Sequence, residues 1–240
     1  MTTAIILAGG LGTRLREVVS DRPKPMALIS GKPFLEYLLD YWMNQGVSHF
    51  ILSVGYQYSV IQDYFGTSYR GCDISYAIEP SPLGTGGGVL LAIAKLNNKD
   101  EPFLLLNGDT FFAIELDKLT QFHQQTQSDC TFSLFRADEA QRYMGIDITS
   151  SGKITALNAE KGKAGELANG GVYLINPAVI KRHYADDSKG QVLSLESDIF
   201  YQLLAHGEPI YGLEFDSCFI DIGLPYDYAR APTIIGLEKV

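Results

Sequence analysis

Residues 4–26 read Ala-Ile-Ile-Leu-Ala-Gly-Gly-Leu-Gly-Thr-Arg-Leu-Arg-Glu-Val-Val-Ser-Asp-Arg-Pro-Lys-Pro-Met. Ala4 to Ala8 is an unbroken apolar run, short enough for a strand buried on both faces. It ends in Gly9, Gly10 and Gly12, where the backbone can turn tightly and no side chain holds a ligand off the amides. Exposed amides at a strand end attract anions, phosphates above all. Arg14 and Lys24 add full positive charge near the same loop: Arg14 as a fork for two phosphate oxygens, Lys24 as a point charge. Pro23 and Pro25 bracket Lys24, which predicts a stiff, extended segment.

A glycine turn after a strand is weak by itself. The next glycine after Gly12 is Gly31, so the third glycine of a dinucleotide fingerprint is missing, and no Gly-Lys-Ser/Thr completes a Walker loop. The combination is more specific. Gly-Gly-X-Gly-Thr-Arg-Leu followed by Pro-Lys-Pro-Met resembles the signature of the sugar-phosphate nucleotidylyltransferases, the sugar-nucleotide pyrophosphorylases. Leu7 to Leu15 and Pro23 to Met26 match it residue by residue.

The chain has 240 residues and a net charge of −9. One large domain is expected, with a nucleotide half over about residues 1–110 and a sugar-phosphate half over about 111–240. The basic residues are scattered, so nucleic acid is not an expected partner. Cys72, Cys130 and Cys218 show neither metal nor disulfide spacing, as in a reducing compartment. No leader is visible, and no apolar run reaches the roughly 18 residues of a membrane span. The expectation is a cytoplasmic protein away from membranes, a monomer or small homo-oligomer.

Further along, Phe34 to Met43 has helical spacing and stops at Gly46. Phe50 to Val54 reads as a strand, Tyr58 to Phe65 as a helix and Asp73 to Ile78 as a strand. This alternation predicts a three-layer α/β/α fold with a Rossmann-like, mostly parallel sheet and ligands at the carboxyl strand ends. Gly9, Gly55 and Glu79 then share one rim. Glu79-Pro-Ser-Pro82-Leu83-Gly84-Thr85-Gly-Gly-Gly forms a second glycine-rich junction, with a helix expected from Val89 to Leu96. Phe103 to Leu106 is a fourth buried strand, ending in Asn107-Gly108-Asp109. A carboxylate at that tip is placed to meet a ligand. On α-helical residues 116–126, His123 reads as a solvated surface histidine. Ser194 can cap a helix over Ile199 to Ala205.

Pro-Leu-Gly-Thr-Gly-Gly is a second anchor for the resemblance, and from there its implications run residue by residue. The fold is the nucleotide-diphospho-sugar transferase fold, with a small antiparallel substrate-side lobe. Leu7, Ala8, Gly9, Gly10, Gly12, Thr13, Arg14, Glu79, Pro82, Leu83, Gly84, Thr85, Asn107 and Gly108 would bind the nucleotide. Gly145, Glu160, Lys161, Asn169 and Gly170 would bind the sugar phosphate. Glu196 faces the sugar or sits in a helix's first turn, where an acid suits the dipole. Asp109 and Asp221 would hold Mg²⁺, which prefers one or two carboxylates plus phosphate oxygens and waters. The family's Asp-Ile-Gly-Thr-Pro is here Asp221-Ile-Gly-Leu224-Pro, so a hydroxyl contact at 224 is lost.

The implied reaction is attack by a sugar 1-phosphate oxygen on the α-phosphorus of a nucleoside triphosphate, with Arg14, Lys24 and Asp109 as the catalytic set. The nucleophile is already ionised, so catalysis is positioning and charge neutralisation. Glu79 only accepts hydrogen bonds, which suits guanine's N1–H and 2-amino edge and favours GTP. A ribose contact or a salt bridge is the other reading of Glu79. The short form with Lys-Pro-Phe-Leu-Glu and Asn-Gly-Gly-Val-Tyr resembles most the D-glycero-D-manno-heptose 1-phosphate guanylyltransferases. Mannose 1-phosphate guanylyltransferases and short uridylyl- or thymidylyltransferases are competitors, and a catalytically dead nucleotide-sugar sensor is the reading from another class.

Overall fold

The computed structural model describes residues 2–10, 12, 15, 18–19, 22–138, 142–161, 164–184 and 190–237, except the side chains of 159–161 and 237. In chain order the strands begin with β1 (Thr2–Leu7), a hairpin of β2 (Leu28–Ile29) and β3 (Lys32–Pro33), β4 (Val47–Val54), β5 (Ser68–Tyr69) and β6 (Cys72–Ile78). Next come β7 (Phe103–Asn107), β8 (Thr110–Phe112), β9 (Cys130–Arg136) and β10 (Met144–Ile148). The last are β11 (Ile154–Lys161), β12 (Leu167–Ile175), β13 (Ile210–Glu214) and β14 (Phe219–Asp221). The helices are α1 (Phe34–Asn44), α2 (Tyr58–Phe65), α3 (Gly84–Ile93), α4 (Leu116–Gln125), α5 (Pro177–His183), α6 (Tyr201–Ala205) and α7 (Pro225–Leu237).

Side chains alternate across a strand, and here the alternation feeds two cores. Ala4 and Ile6 of β1, Phe50 and Leu52 of β4, and Leu104 and Leu106 of β7 pack with Phe34, Leu38 and Trp42 of α1. Ile5, Ile51, Phe103 and Leu105 face the other way, toward Val89 and Ala92 of α3 and toward Ile199, Phe200 and Leu203. Both faces are covered, so the architecture is three layers, helix on sheet on helix. β7, β1, β4 and β6 run parallel in that order. β12 then joins β7 antiparallel and carries β9, β10 and β11 with it, so the sheet is mixed, with its parallel strands grouped. β8 and β14 form a separate antiparallel pair.

Three local expectations need correction. Helix α3 begins at Gly84, not at Val89. Its glycines are there because residues 191–194 cross the first turn: a Cβ on Gly84, which has φ +71°, would lie 2.4 Å from the Leu193 carbonyl oxygen, and one on Gly87 2.6 Å from that of Gln191. Lys24 is not extended. Pro23 is (φ −66°, ψ 149°), but Lys24–Met26 closes into a 3₁₀ turn, where Pro25 lacks only an N–H that a first turn leaves unbonded anyway. His123 is buried, on the same face of α4 as Leu116 and Leu119. Its Nδ1 lies 2.8 Å from Thr131 Oγ1 and its Nε2 3.3 Å from Asn176 Oδ1. Burial pushes its pKa down, so it is a satisfied core histidine. No helix among the described residues is long and apolar enough to cross a membrane.

Candidate active site

The parallel strands set one rim. Beyond the strand ends the ladder continues: Ala8 N–H donates to the Ser53 carbonyl at 2.8 Å, Glu79 N–H to Val54 at 2.8 Å and Gly108 N–H to Leu7 at 3.0 Å. Those bonds draw the segments after β1, β4, β6 and β7 together. Gly108 must be glycine, since a Cβ there would lie 2.3 Å from the Leu7 carbonyl oxygen. A cavity of about 530 Å³ opens over this rim. It is lined by Leu7, Gly9, Gly10 and Gly12 from the first loop and by Pro82, Gly84 and Thr85 from the second. Lys24, Pro25, Ser53, Glu79, Asn107, Gly108, Asp109 and Glu196 complete it. Both glycine-rich junctions therefore meet one cavity. Ala8 and Leu83 lie buried behind it.

Glu79 sits between the two loops. Its Oε2 accepts the Leu83 N–H at 3.0 Å. Burial pushes its carboxyl above the ordinary glutamate range, opposed by the Leu83 bond. Glu196 accepts from Thr85 Oγ1 and from Ser194 Oγ, each at 3.2 Å, while Thr85 Oγ1 accepts the Leu195 N–H at 2.8 Å. Ser194 caps the following turn through Ser197 N–H. Glu196 therefore both lines the cavity and stands in the first turn of a helical stretch over Leu195–Phe200 that runs into α6.

At the cavity's edge Lys24 Nζ lies 2.6 Å from Asp109 Oδ2 and 3.7 Å from Asp221 Oδ1. The β8·β14 ladder makes this meeting possible. Thr110 pairs with Asp221, and Ile222 N–H donates to the Asp109 carbonyl at 3.0 Å. Burial, then the charge of Asp109, pushes the Asp221 carboxyl up, opposed by Lys24 and by the Gly223 N–H. Asp221 also lines a second cavity of about 530 Å³, with Arg136, Arg142, Tyr143, Phe219 and Asp227 among its walls. Arg142 pairs there with Asp227. Leu224, where the family carries threonine, is exposed.

The sugar-side residues are arranged differently. Gly145 is buried in β10 and Gly170 in β12, and neither lines the nucleotide-side cavity. Asn169 is engaged within the fold, donating to the Tyr173 hydroxyl at 2.6 Å and accepting the Gly171 N–H at 3.1 Å. Thr13 and Arg14 lie outside the described residues, as do the side chains of Glu160 and Lys161. Two further residues at these cavities carry no motif in the sequence. Ser53 is a hydroxyl inside the apolar run Phe50 to Val54, fully buried beside Glu79, whose carboxyl it works with the Leu83 N–H to hold down. Asp227 follows the Asp221 motif closely and is buried; each broke a local pattern and was findable on that ground.

Comparison with known proteins covers nearly the whole chain. The D-glycero-alpha-D-manno-heptose 1-phosphate guanylyltransferase of Aneurinibacillus thermoaerophilus is 42% identical over 229 residues, 95% of this chain and 96% of that protein. The protein of the same name from Campylobacter jejuni is 37% identical over 225 residues, 94% and 96% of the two chains. The crystal structure of HddC from Yersinia pseudotuberculosis complexed with GMP-PN matches with a TM-score of 0.83 at 32% identity, covering 97% of this chain and 99% of that one. Residues 3–235 match the family model described as nucleotidyl transferase. The chain belongs to the nucleotidyl transferase family.

Proposed function

We propose that the protein transfers the guanylyl group of GTP to D-glycero-alpha-D-manno-heptose 1-phosphate, giving the GDP-sugar and pyrophosphate. The observation that carries this reading is the 42% identity, over 95% of the chain, to a guanylyltransferase of that specificity. The gathered rim supports it. A sugar phosphate oxygen attacks the α-phosphorus while the bond to the β-phosphate oxygen breaks. The nucleophile is ionised at neutral pH, so no base is required, and the residues act by position and charge. Lys24 neutralises the α-phosphate as charge develops. The first-loop amides and Arg14 hold the leaving pyrophosphate. Glu79 accepts from the guanine edge. Lys161, Glu160 and Asn169 hold the sugar phosphate. In this reading residues 1–110 serve mainly the nucleotide, 111–240 the sugar phosphate, and the protein works in the cytoplasm.

Asp109 and Asp221 fit a divalent cation. Both are hard oxygen donors that meet at the Lys24 ammonium, and burial, then the charge of Asp109, raises the Asp221 carboxyl. No cluster of three His, Cys, Asp or Glu is found among the described residues, so phosphate oxygens and water would complete an Mg²⁺ shell. When bound, Mg²⁺ supplies electrostatic stabilisation of the transferring phosphoryl group.

The test is pyrophosphate release over a grid of four nucleoside triphosphates and a panel of sugar 1-phosphates. GTP with the heptose 1-phosphate should give the highest kcat/KM. A higher value with mannose 1-phosphate, or with UTP, would overturn the specificity. GTP binding without turnover on any sugar would favour the sensor.

A further inference from the structure

The ammonium of Lys24 stands on the same two carboxylates that fit the divalent ion, at 2.6 Å from one and 3.7 Å from the other. Its place is confined. A Cβ on Gly12 would lie 3.0 Å from Lys24 Cβ, and one on Gly223 2.9 Å from Nζ. The adjoining Pro25 and Met26 are buried in the 3₁₀ turn, so the stem is anchored and only its tip is free to swing. Its side chain is 13% exposed, against 41% for Asp109 and 28% for Asp221, so the ammonium is sheltered while the carboxylates stay open to an arriving ion. The site therefore holds two negative charges and one positive charge, and the Asp109 oxygen accepting at 2.6 Å is already committed. A second cation arriving at that oxygen meets like charge at close range.

We propose that Lys24 is the free protein's own cation at the Asp109–Asp221 pair and competes with the divalent ion for it. Ion binding is then held weak until the phosphates of a nucleotide draw the ammonium off Asp109. A triphosphate offers Lys24 an alternative anion within a swing of its own tip, because Asp109 lines the nucleotide-side cavity together with Lys24. Lysine thus has two stations, carboxylate and phosphate, and the first guards the second. The inference rests on the reading of Asp109 and Asp221 as the ion's ligands.

The test is Mn²⁺ titration of the full-length protein without nucleotide, followed by electron paramagnetic resonance, for wild type, Lys24→Ala, Lys24→Met and Lys24→Ala/Asp109→Asn. Removing the ammonium should tighten Mn²⁺ binding by about tenfold or more, the worth of one charge-assisted hydrogen bond. Lys24→Met keeps the length of the stem and should show the same gain, which separates lost charge from a collapsed turn. Unchanged or weaker Mn²⁺ binding in both single variants would overturn the competition. If the gain persists when Asp109→Asn is added, the ion sits elsewhere, and the ligand assignment fails instead.

Discussion

Replacing Glu79 by Gln exchanges one acceptor oxygen for a donor NH₂ at nearly constant volume. The Leu83 N–H already claims one carboxylate oxygen at 3.0 Å. In the variant the amide oxygen takes that bond, and the NH₂ turns into the cavity. On the proposed reading of Glu79, guanine presents N1–H and its 2-amino group there, so donors would face donors. Two hydrogen bonds to a charged acceptor are lost, and each is worth about 1.5 kcal/mol at the low end suited to a half-buried group. The sum of about 3 kcal/mol predicts a loss on the order of a hundredfold in kcat/KM with GTP. The contact is the same before and during phosphoryl transfer, so the loss should appear in KM with kcat retained. Inosine triphosphate lacks the 2-amino group and serves as the gauge. Wild type should prefer GTP to it by about tenfold, and the variant should not. Burial also pushes the Glu79 carboxyl upward. A protonated carboxyl carries a donor, so the wild-type KM for GTP should rise as pH falls through that raised pKa, while the variant's stays flat. The assay is pyrophosphate release at saturating sugar phosphate. A variant with GTP kcat/KM within about threefold of wild type, or with its preference over inosine triphosphate intact, would assign Glu79 to Leu83 alone.

Asp109→Ala should lower kcat by a few hundredfold or more, about 3–4 kcal/mol of barrier, with an unchanged thermal melt; near-normal turnover would remove Asp109 from the reaction. Glu36→Gln should cost about 1–2 kcal/mol of stability at pH 7. Burial alone would raise the Glu36 carboxyl, but bonds from Tyr64, Lys32 and Tyr69 outweigh it and hold it below its ordinary value. That stability is present above the ordinary glutamate range and is lost as pH falls through the lowered pKa, so urea melts of wild type and variant should converge in acid. Gly84→Ala should destabilise by about 2 kcal/mol or more, from the positive φ and the 2.4 Å approach to Leu193; a full-strength urea midpoint would refute the clash.

The sheet was legible because its strands are apolar runs and its glycines fall at strand ends. Helix α2 has its expected bounds, Tyr58–Phe65, since hydrophobic spacing and a closing glycine agree there. Agreement failed where tertiary contacts override propensity. Glycine disfavours helix, yet Gly84 to Gly88 form one because another backbone crosses them. Helix α7 was not anticipated, since Pro232 and Gly236 interrupt its pattern and Pro232 lies inside the helix. His123 read as exposed because its neighbours in sequence are polar. Its burial depends on Thr131 and Asn176, which local reading does not place beside it. The place of Asp109 on the cavity wall was legible from its strand alone. Its distance from Asp221 was not, because that depends on a ladder between β8 and β14 that no local pattern announces.

That ladder explains why an acidic protein sets two aspartates where a polyanion is to bind. Either carboxylate alone would only repel phosphate. Brought together they oppose each other as well, an effect second to burial in raising the Asp221 carboxyl, and one lysine leaves the group still negative. The arrangement becomes favourable for triphosphate only when a cation carrying more than one charge joins it. Asp109 belongs to the sheet half and Asp221 to the chain's far end, so such a cation would also bind the two parts of the chain to each other. The place of that neutralisation is set by the Thr110–Asp221 register rather than by any one residue.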